Sequence, residues 1–365
     1  MTDETAEPDE RGDARPPRQE QEEATTDIGE VAPGILRLQL PVALPGLGHV
    51  NCYALEDERG FALVDPGLPG DAPWAALIDR LDRAGIALRH VHTVVVTHSH
   101  HDHFGAAERL HDETSADIVA HEAFRLMWEE AEMTANEDSS SLELTDDEIL
   151  ERMKERFRWT TPWGTKRTPP PDDVMRMFLS GGRGGRLFPT PEPTIRVADR
   201  APVRLGRREW VSVHTPGHTR DHLCLYDPEG GVMLSGDHIL PTITPHISGY
   251  FPEADPLALF FDSLDRMTRF EGVTITLPAH GHPFADLAGR AEAIAEHHHE
   301  RLDLIRASVD EIGEGSVVDF MQRLFRPRSW GEMAESETFA HLVHLRATGD
   351  IEQRESDGVA LFSAP

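Results

Sequence analysis

Residues 98–103 carry the pattern H-x-H-x-D-H, which places His98, His100, Asp102 and His103 within six positions. Imidazole and carboxylate are the side chains that hold zinc and related first-row ions. His98 and His100, two apart, can converge on one ion, while Asp102 and His103 can turn toward a second beside it. A lone histidine would read as a solvated or satisfied residue. Four ligand-capable groups in one tight turn directly after an apolar run point instead to a metal site.

That turn has to be positioned. Val94-Val95-Val96 before it is a β-branched apolar run and reads as a buried strand. Phe104 to Leu110 after it reads as the start of a helix. The same device recurs downstream. Strand 210–214 runs into Thr215-Pro216-Gly217-His218, strand 232–234 ends at Ser235-Gly236-Asp237-His238, and strand 273–277 ends at Pro278-Ala279-His280-Gly281-His282. Four strand ends thus each deliver a His or Asp, and a fold that gathers strand ends at one edge would unite them. Earlier strands are expected at 35–40, 49–55 and 61–64. The last ends in Asp65-Pro66-Gly67, where Asp65 reads either as a turn residue or, as the strand end favours, as a carboxylate that orients a metal-bound histidine from behind. A helix over 72–84 and a strand at 117–120 complete an α/β first half with mixed sheets.

The remaining segments differ in composition. Residues 1–28 are rich in charged residues and Pro and poor in large apolar side chains, and read as a disordered acidic tail. Residues 122–190 read as an insertion. Thr145-Asp146-Asp147-Glu148 caps a helix there, and the Gly181–Gly185 loop follows. Its Trp159 and Trp163 are placed either to roof a site or to pack the insertion on itself. After 291, helical patterns at 302–312, 317–324 and 339–343 precede a strand at 359–362.

Composition limits the chemistry. The net charge is −30 with 35 basic residues, of which only Lys154 and Lys166 are lysine. From Glu296 to Gly358 there are 14 acidic and 7 basic residues, so no basic nucleic-acid face is expected. Cys52 and Cys224 lie in apolar runs and indicate no disulfide framework. No apolar run has membrane-spanning length, and the acidic N-terminus lacks a signal core, so the expected location is cytoplasmic.

Taken together, T-H-S-H-H-D-H, T-P-G-H-T, S-G-D-H and P-A-H-G resemble the metallo-β-lactamase fold superfamily, the metal-dependent hydrolases that include glyoxalase II. The resemblance spans roughly residues 30–290. It implies an αββα sandwich over 29–290 with the helical insertion at 122–190 and two divalent metal ions, zinc preferred and iron or manganese accommodated. His98, His100 and His218 would hold the first ion, Asp102, His103 and His280 the second, and Asp237 would bridge them. Asp102 and Asp237 are then the catalytic carboxylates. His222 and His246 are the residues expected to bind substrate, with His49 and His238 also near the rim. His90, His92 and His121 are expected to be surface or satisfied residues, and His297-His298-His299 a solvated helix face. Residues 291–365 resemble the small winged-helix-like domain of the branch that includes β-lactamase-like protein 2. The pattern departs from the family at Asp221 and Ala279, where Gly is common, and at His246, where Asn is expected. His282 competes with His280 as ligand, and the motif's frame favours His280.

The implied activity is hydrolysis of a small ester, thioester or lactone by a hydroxide shared between the metals. Two alternatives compete: an endoribonuclease of the β-lactamase-like protein 2 type, and a non-catalytic binding protein on the same fold. The acidic charge disfavours the first and the full ligand set the second. The expected partner is a small-molecule substrate, with neither nucleic acid nor membrane.

Overall fold

Alternation along the strands decides which way each residue of the sandwich points. In β3 (Leu47–Glu56), Tyr53 and Leu55 enter one core while Val50, Cys52 and Ala54 enter another. In β10 (Leu223–Asp227), Leu223 and Leu225 face one side and Cys224 the other. Two-residue periodicity with apolar residues on both faces marks strands covered on both sides.

A computed structural model describes residues 18–44, 46–125, 145–169, 172, 175, 191–250 and 255–365. Seven strands form the first sheet in sequential order: β1 (Gly29–Ala32), β2 (Ile35–Leu44), β3, β4 (Phe61–Val64), β5 (Val91–Val95), β6 (Asp117–His121) and β7 (Ile195–Val197). Its first four strands are antiparallel neighbours, and β4 to β7 pair in parallel. The second sheet has the order β12-β11-β10-β9-β8 and adds β8 (Pro202–Leu205), β9 (Arg208–His214), β11 (Val232–Gly236) and β12 (Ile275–Pro278) to β10.

The sheets pack face to face through Tyr53, Val64 and Val95 on one side and Trp210, Leu225, Leu234 and Leu277 on the other. The outer face of the first sheet is covered by α1 (Asp71–Arg83), after which come α2 (His101–Phe104) and α3 (Ala107–Thr114). Next is α4 (Asp146–Phe157), opened by the Thr145–Glu148 capping box. The outer face of the second sheet is covered by α5 (Pro256–Thr268) and α6 (Leu287–Ile312). The result is the expected αββα layering. Helix α5 is not among the elements read from the sequence, although its Asp255 cap and its Leu257, Phe260, Leu264 and Met267 spacing are legible there.

Four expectations are corrected. Residues 18–28 are not a free tail. They start with a 3₁₀ turn at Gln19–Gln21 whose Glu20 is fully buried, because its carboxylate accepts hydrogen bonds from Thr242 N, Thr242 Oγ1 and Ile243 N. The boundary at 291 falls inside α6. That helix shares one continuous core with α5, with α7 (Val317–Leu324), with α8 (Glu332–Thr348) and with Cys224 and Met233 of the second sheet. A small antiparallel sheet of β13 (Glu314–Ser316), β15 (Val359–Ser363) and β14 (Glu352–Ser356), in that order, completes the C-terminal part. Third, Trp163 is 1 % exposed, donates from its indole to Glu335 Oε2 at 2.8 Å and packs on Phe339, so it anchors the insertion to α8. Trp159 is exposed beside Tyr250. Fourth, His298 is fully buried, not solvated. The tail at 1–17 and the Gly181–Gly185 loop lie outside the described residues.

Candidate metal centre

Asp65, at the end of β4, sits at φ +55°, a left-handed conformation that Asp tolerates. From there its buried carboxylate accepts from Thr97 N at 2.9 Å, Thr97 Oγ1 at 2.8 Å and His103 Nδ1 at 2.8 Å. It therefore holds both ends of the histidine-rich turn. His98 and His100 lie in the turn itself, while Asp102 and His103 lie on α2, so helix starts earlier than the sequence reading placed it.

The other strand ends reach the same point. His100 Nδ1 is 3.0 Å from His98 Nε2 and 3.1 Å from His218 Nε2. On the other side, Asp102 Oδ2 is 3.6 Å from His103 Nε2 and 3.5 Å from His280 Nε2. Asp237 stands between the two groups. Its Oδ2 is 3.9 Å from His98 Nε2, 3.6 Å from His218 Nε2 and 3.6 Å from His103 Nε2, and its Oδ1 is 3.3 Å from His280 Nε2.

Two of the imidazoles are oriented by backbone carbonyls behind them. His218 Nδ1 donates to the His246 carbonyl at 2.7 Å, and His280 Nδ1 to the His49 carbonyl at 2.5 Å. A proton fixed on Nδ1 leaves the Nε2 lone pair aimed inward, the arrangement seen behind metal-ligating histidines. Yet His103 Nε2, His280 Nε2 and Asp237 Oδ1 are buried and make no hydrogen bond. Buried polar atoms without a partner are costly. Lone pairs converging from seven side chains fit divalent cations, which would satisfy all of them.

The electrostatics agree. Burial and the neighbouring imidazoles hold His98 and His100 well below the usual histidine range. Burial also lowers His218, against the pull of Asp237. Burial would lower His103 and His280 as well, but the nearby carboxylates outweigh it and raise both. Burial alone would raise Asp237, but His280 and His103 hold its carboxyl well below the ordinary carboxylate range. The cluster thus sets a carboxylate against imidazoles that compete for protons, which is the balance a cation would relieve.

Several expected roles change. His222 is fully buried and cannot meet a substrate. Its Nε2 accepts from Asp237 N at 3.0 Å, so Nδ1 carries the proton and lies 2.7 Å from Thr215 Oγ1. His222 therefore sets the backbone at Asp237. Gly236, at φ +52°, is required there, since an added Cβ would come within 2.6 Å of that His222 Nε2. His246 is partly exposed, and its side chain lies 3.5 Å from Glu337 while its carbonyl holds His218. His49 is buried, with Nδ1 donating to the Glu22 carbonyl and Nε2 accepting from Gly281 N. His238 is buried beside Phe260. His282 is on the surface, 2.9 Å from Glu22, whereas His280 is fully buried in the cluster. His90 is exposed, His92 pairs with Asp57, and His121 is buried in a stack on His214. Asp221 is buried, accepts from Ser99 Oγ at 3.0 Å, and is pushed up to about 6 by burial.

Sequence reasoning missed Asn51, Tyr53 and Glu20. Asn51 Nδ2 donates to the Pro278 and Gly281 carbonyls, each at 2.9 Å, and Tyr53 Oη donates to Pro278 O at 2.7 Å. Together they bind the His280 turn to β3 across more than 200 residues of chain. No local pattern announces such a contact.

The model of the Metallo-beta-lactamase superfamily matches residues 45–282, a span that includes every side chain of this cluster. The chain belongs to that superfamily. Its relatives include a probable metallo-hydrolase, YqjP of Bacillus subtilis, 24 % identical over 319 residues that cover 86 % of this chain and 91 % of that protein. Human acyl-coenzyme A thioesterase MBLAC2 is 27 % identical over 194 residues, 52 % of this chain and 58 % of that protein. Among solved structures, a beta-lactamase domain protein from Burkholderia ambifaria superposes with a TM-score of 0.74 at 29 % identity, covering 96 % of this chain and 97 % of that one. The metallo-beta-lactamase family protein TTHA1429 of Thermus thermophilus superposes with a TM-score of 0.68 at 26 % identity, covering 92 % and 100 %. The chain is thus placed in a superfamily of metallo-hydrolases that use divalent metals. No helix among the described residues is long and apolar enough to cross a membrane.

Proposed function

We propose that the protein is a dinuclear metal-dependent hydrolase of small acyl substrates, thioesters foremost. The observation that carries this reading is Asp237, whose two carboxylate oxygens lie against imidazoles of both ligand groups. His98, His100 and His218 would hold one ion, Asp102, His103 and His280 the other, and Asp237 would serve both. Bound there, divalent ions supply a water of lowered pKa and polarise the carbonyl under attack. Zinc suits this mixed N/O set, and iron or manganese also fits it.

The chain's own residues prepare the site. Asp65 fixes His103, the His246 and His49 carbonyls fix His218 and His280, and His222 fixes the backbone at Asp237. A thiol nucleophile has no support: both cysteines are buried, and burial raises Cys52 far above the thiol range and Cys224 to about 12. The similarity to a thioesterase favours an acyl thioester, and the acidic chain disfavours a polyanionic strand. We also read the helices and small sheet from α6 onward as winged-helix-like, with α6 shared between the two units.

The test is a competition among acyl-CoA thioesters, simple esters, lactones, β-lactams and single-stranded RNA, with zinc-loaded and manganese-loaded enzyme and Asp102→Ala as control. Thioester turnover that disappears in the control is expected. RNA cleavage lost in the control, with no thioester turnover, would replace this reading by a nuclease.

A further inference from the structure

A second group of metal-capable side chains lies between α6 and α8. Glu337 and His341, four apart on α8, share one helix face, and His298 of α6 meets them there. The ligand atoms of all three lie within 4.8 Å of one another. His298 Nδ1 and His341 Nε2 are 3.1 Å apart, and both residues are fully buried. We propose that His298, Glu337 and His341 form a separate divalent-cation site, suited to zinc, that clamps the C-terminal helices to the body of the protein.

The orientation of His341 supports it. His341 Nδ1 donates to the Glu337 carbonyl at 2.7 Å, so Nε2 presents a lone pair to the cluster. That backbone contact is the usual support behind a metal-ligating histidine. Glu337 Oε1 is engaged by Arg301 at 3.0 Å, which leaves Oε2 on the side of His246 at 3.5 Å. Arg301 also donates to His297 Nε2 at 2.9 Å and lies over the Phe325 ring, so its guanidinium is fixed at the edge of the group, on the Oε1 side of Glu337. Phe260 and Phe261 stand perpendicular to the His298 ring and close the site on the side of α5.

Burial holds His298 well below the histidine range and lowers His341 to about 4. Burial opposes ionisation of Glu337, but Arg301 and His246 outweigh it and keep the carboxyl far below its ordinary value. Two imidazoles and one carboxylate, completed by water, make the ligand set of many zinc sites. The position also gives the ion a task. Glu337 is the neighbour of the His246 side chain, and the His246 carbonyl holds His218. Tying α8 to α6 would therefore steady one imidazole of the main cluster.

The experiment is crystallography of the full-length, untagged protein grown with zinc, with anomalous difference maps from data on either side of the zinc edge. A peak about 2.1 Å from His298 Nδ1 and His341 Nε2 is expected, read separately from any density at Asp237. Zinc content by mass spectrometry should fall by one equivalent in His341→Gln, with the density at Asp237 retained. If that variant does not fold, the wild-type map decides alone. No anomalous density between α6 and α8 in zinc-grown crystals overturns the proposal, as does an unchanged zinc count in a folded His341→Gln protein.

Discussion

Replacing Glu20 by alanine tests whether the residues just before β1 belong to the folded unit. The Glu20 carboxylate is 0 % exposed and accepts from Thr242 N at 2.8 Å, Ile243 N at 3.1 Å and Thr242 Oγ1. A hydrogen bond to a charged group contributes about 1.5–3 kcal/mol. Thr242 and Ile243 are only half-buried, so water would recover part of what the variant loses, and we take about 1 kcal/mol per bond, or about 3 kcal/mol in all. Unfolding entropy of ~2.1 cal/mol/K per residue over the 365-residue chain makes that a fall in Tm of about 4 °C. The fold should survive, because Arg290 also holds the loop, donating to the Leu240 carbonyl at 2.6 Å and the Ile243 carbonyl at 2.7 Å. Thermal unfolding followed by circular dichroism measures the shift, and amide hydrogen exchange at Thr242 and Ile243 localises it. Glu20→Gln, which keeps one acceptor oxygen, should fall between wild type and alanine. An unchanged Tm together with unchanged exchange at both amides would refute the docking of this segment.

Two further outcomes follow from the site. His280→Ala should lose one metal equivalent and lower kcat/KM by more than the ~10–100-fold typical of outer-shell changes. His282→Ala, which breaks an exposed contact with Glu22, should stay within about twofold; the reverse order would move the ligand two residues downstream. Asp221 has a folded pKa near 6 against an ordinary 3.8. Its raised value means that ionisation opposes folding: the cost is absent below pH 4, grows as pH rises toward 6, and is complete above it. In metal-free protein, Asp221→Asn should therefore gain stability over wild type by up to about 3 kcal/mol between pH 4 and pH 7. Denaturant unfolding at several pH values reads this directly, and a pH-independent difference would show that Asp221 ionises freely.

What the sequence determined by itself is the local part. Strand alternation, turn glycines and the H-x-H-x-D-H pattern are short-range signals, because side-chain direction in a strand and φ in a turn depend on a few neighbouring residues. They place a His or Asp at each of four strand ends, and the resemblance to the metallo-β-lactamase superfamily singles out His98, His100, Asp102, His103, His218, Asp237 and His280 among them. The placement of Asp65 behind a histidine was legible for the same reason, since it ends a strand as the others do. The tertiary structure decided which other groups touch these. His222 sits in a motif beside His218, yet the register of β9 against β10 turns it under Asp237 instead of toward a substrate. Glu20 lies in a segment whose composition reads as disorder, and its burial depends on two backbone amides more than 200 residues away. His298 belongs to a three-histidine run on α6, and only the packing of α5 and α8 against that helix made one of the three a core residue. In each case composition describes the residue alone, whereas burial depends on which distant surface arrives to cover it.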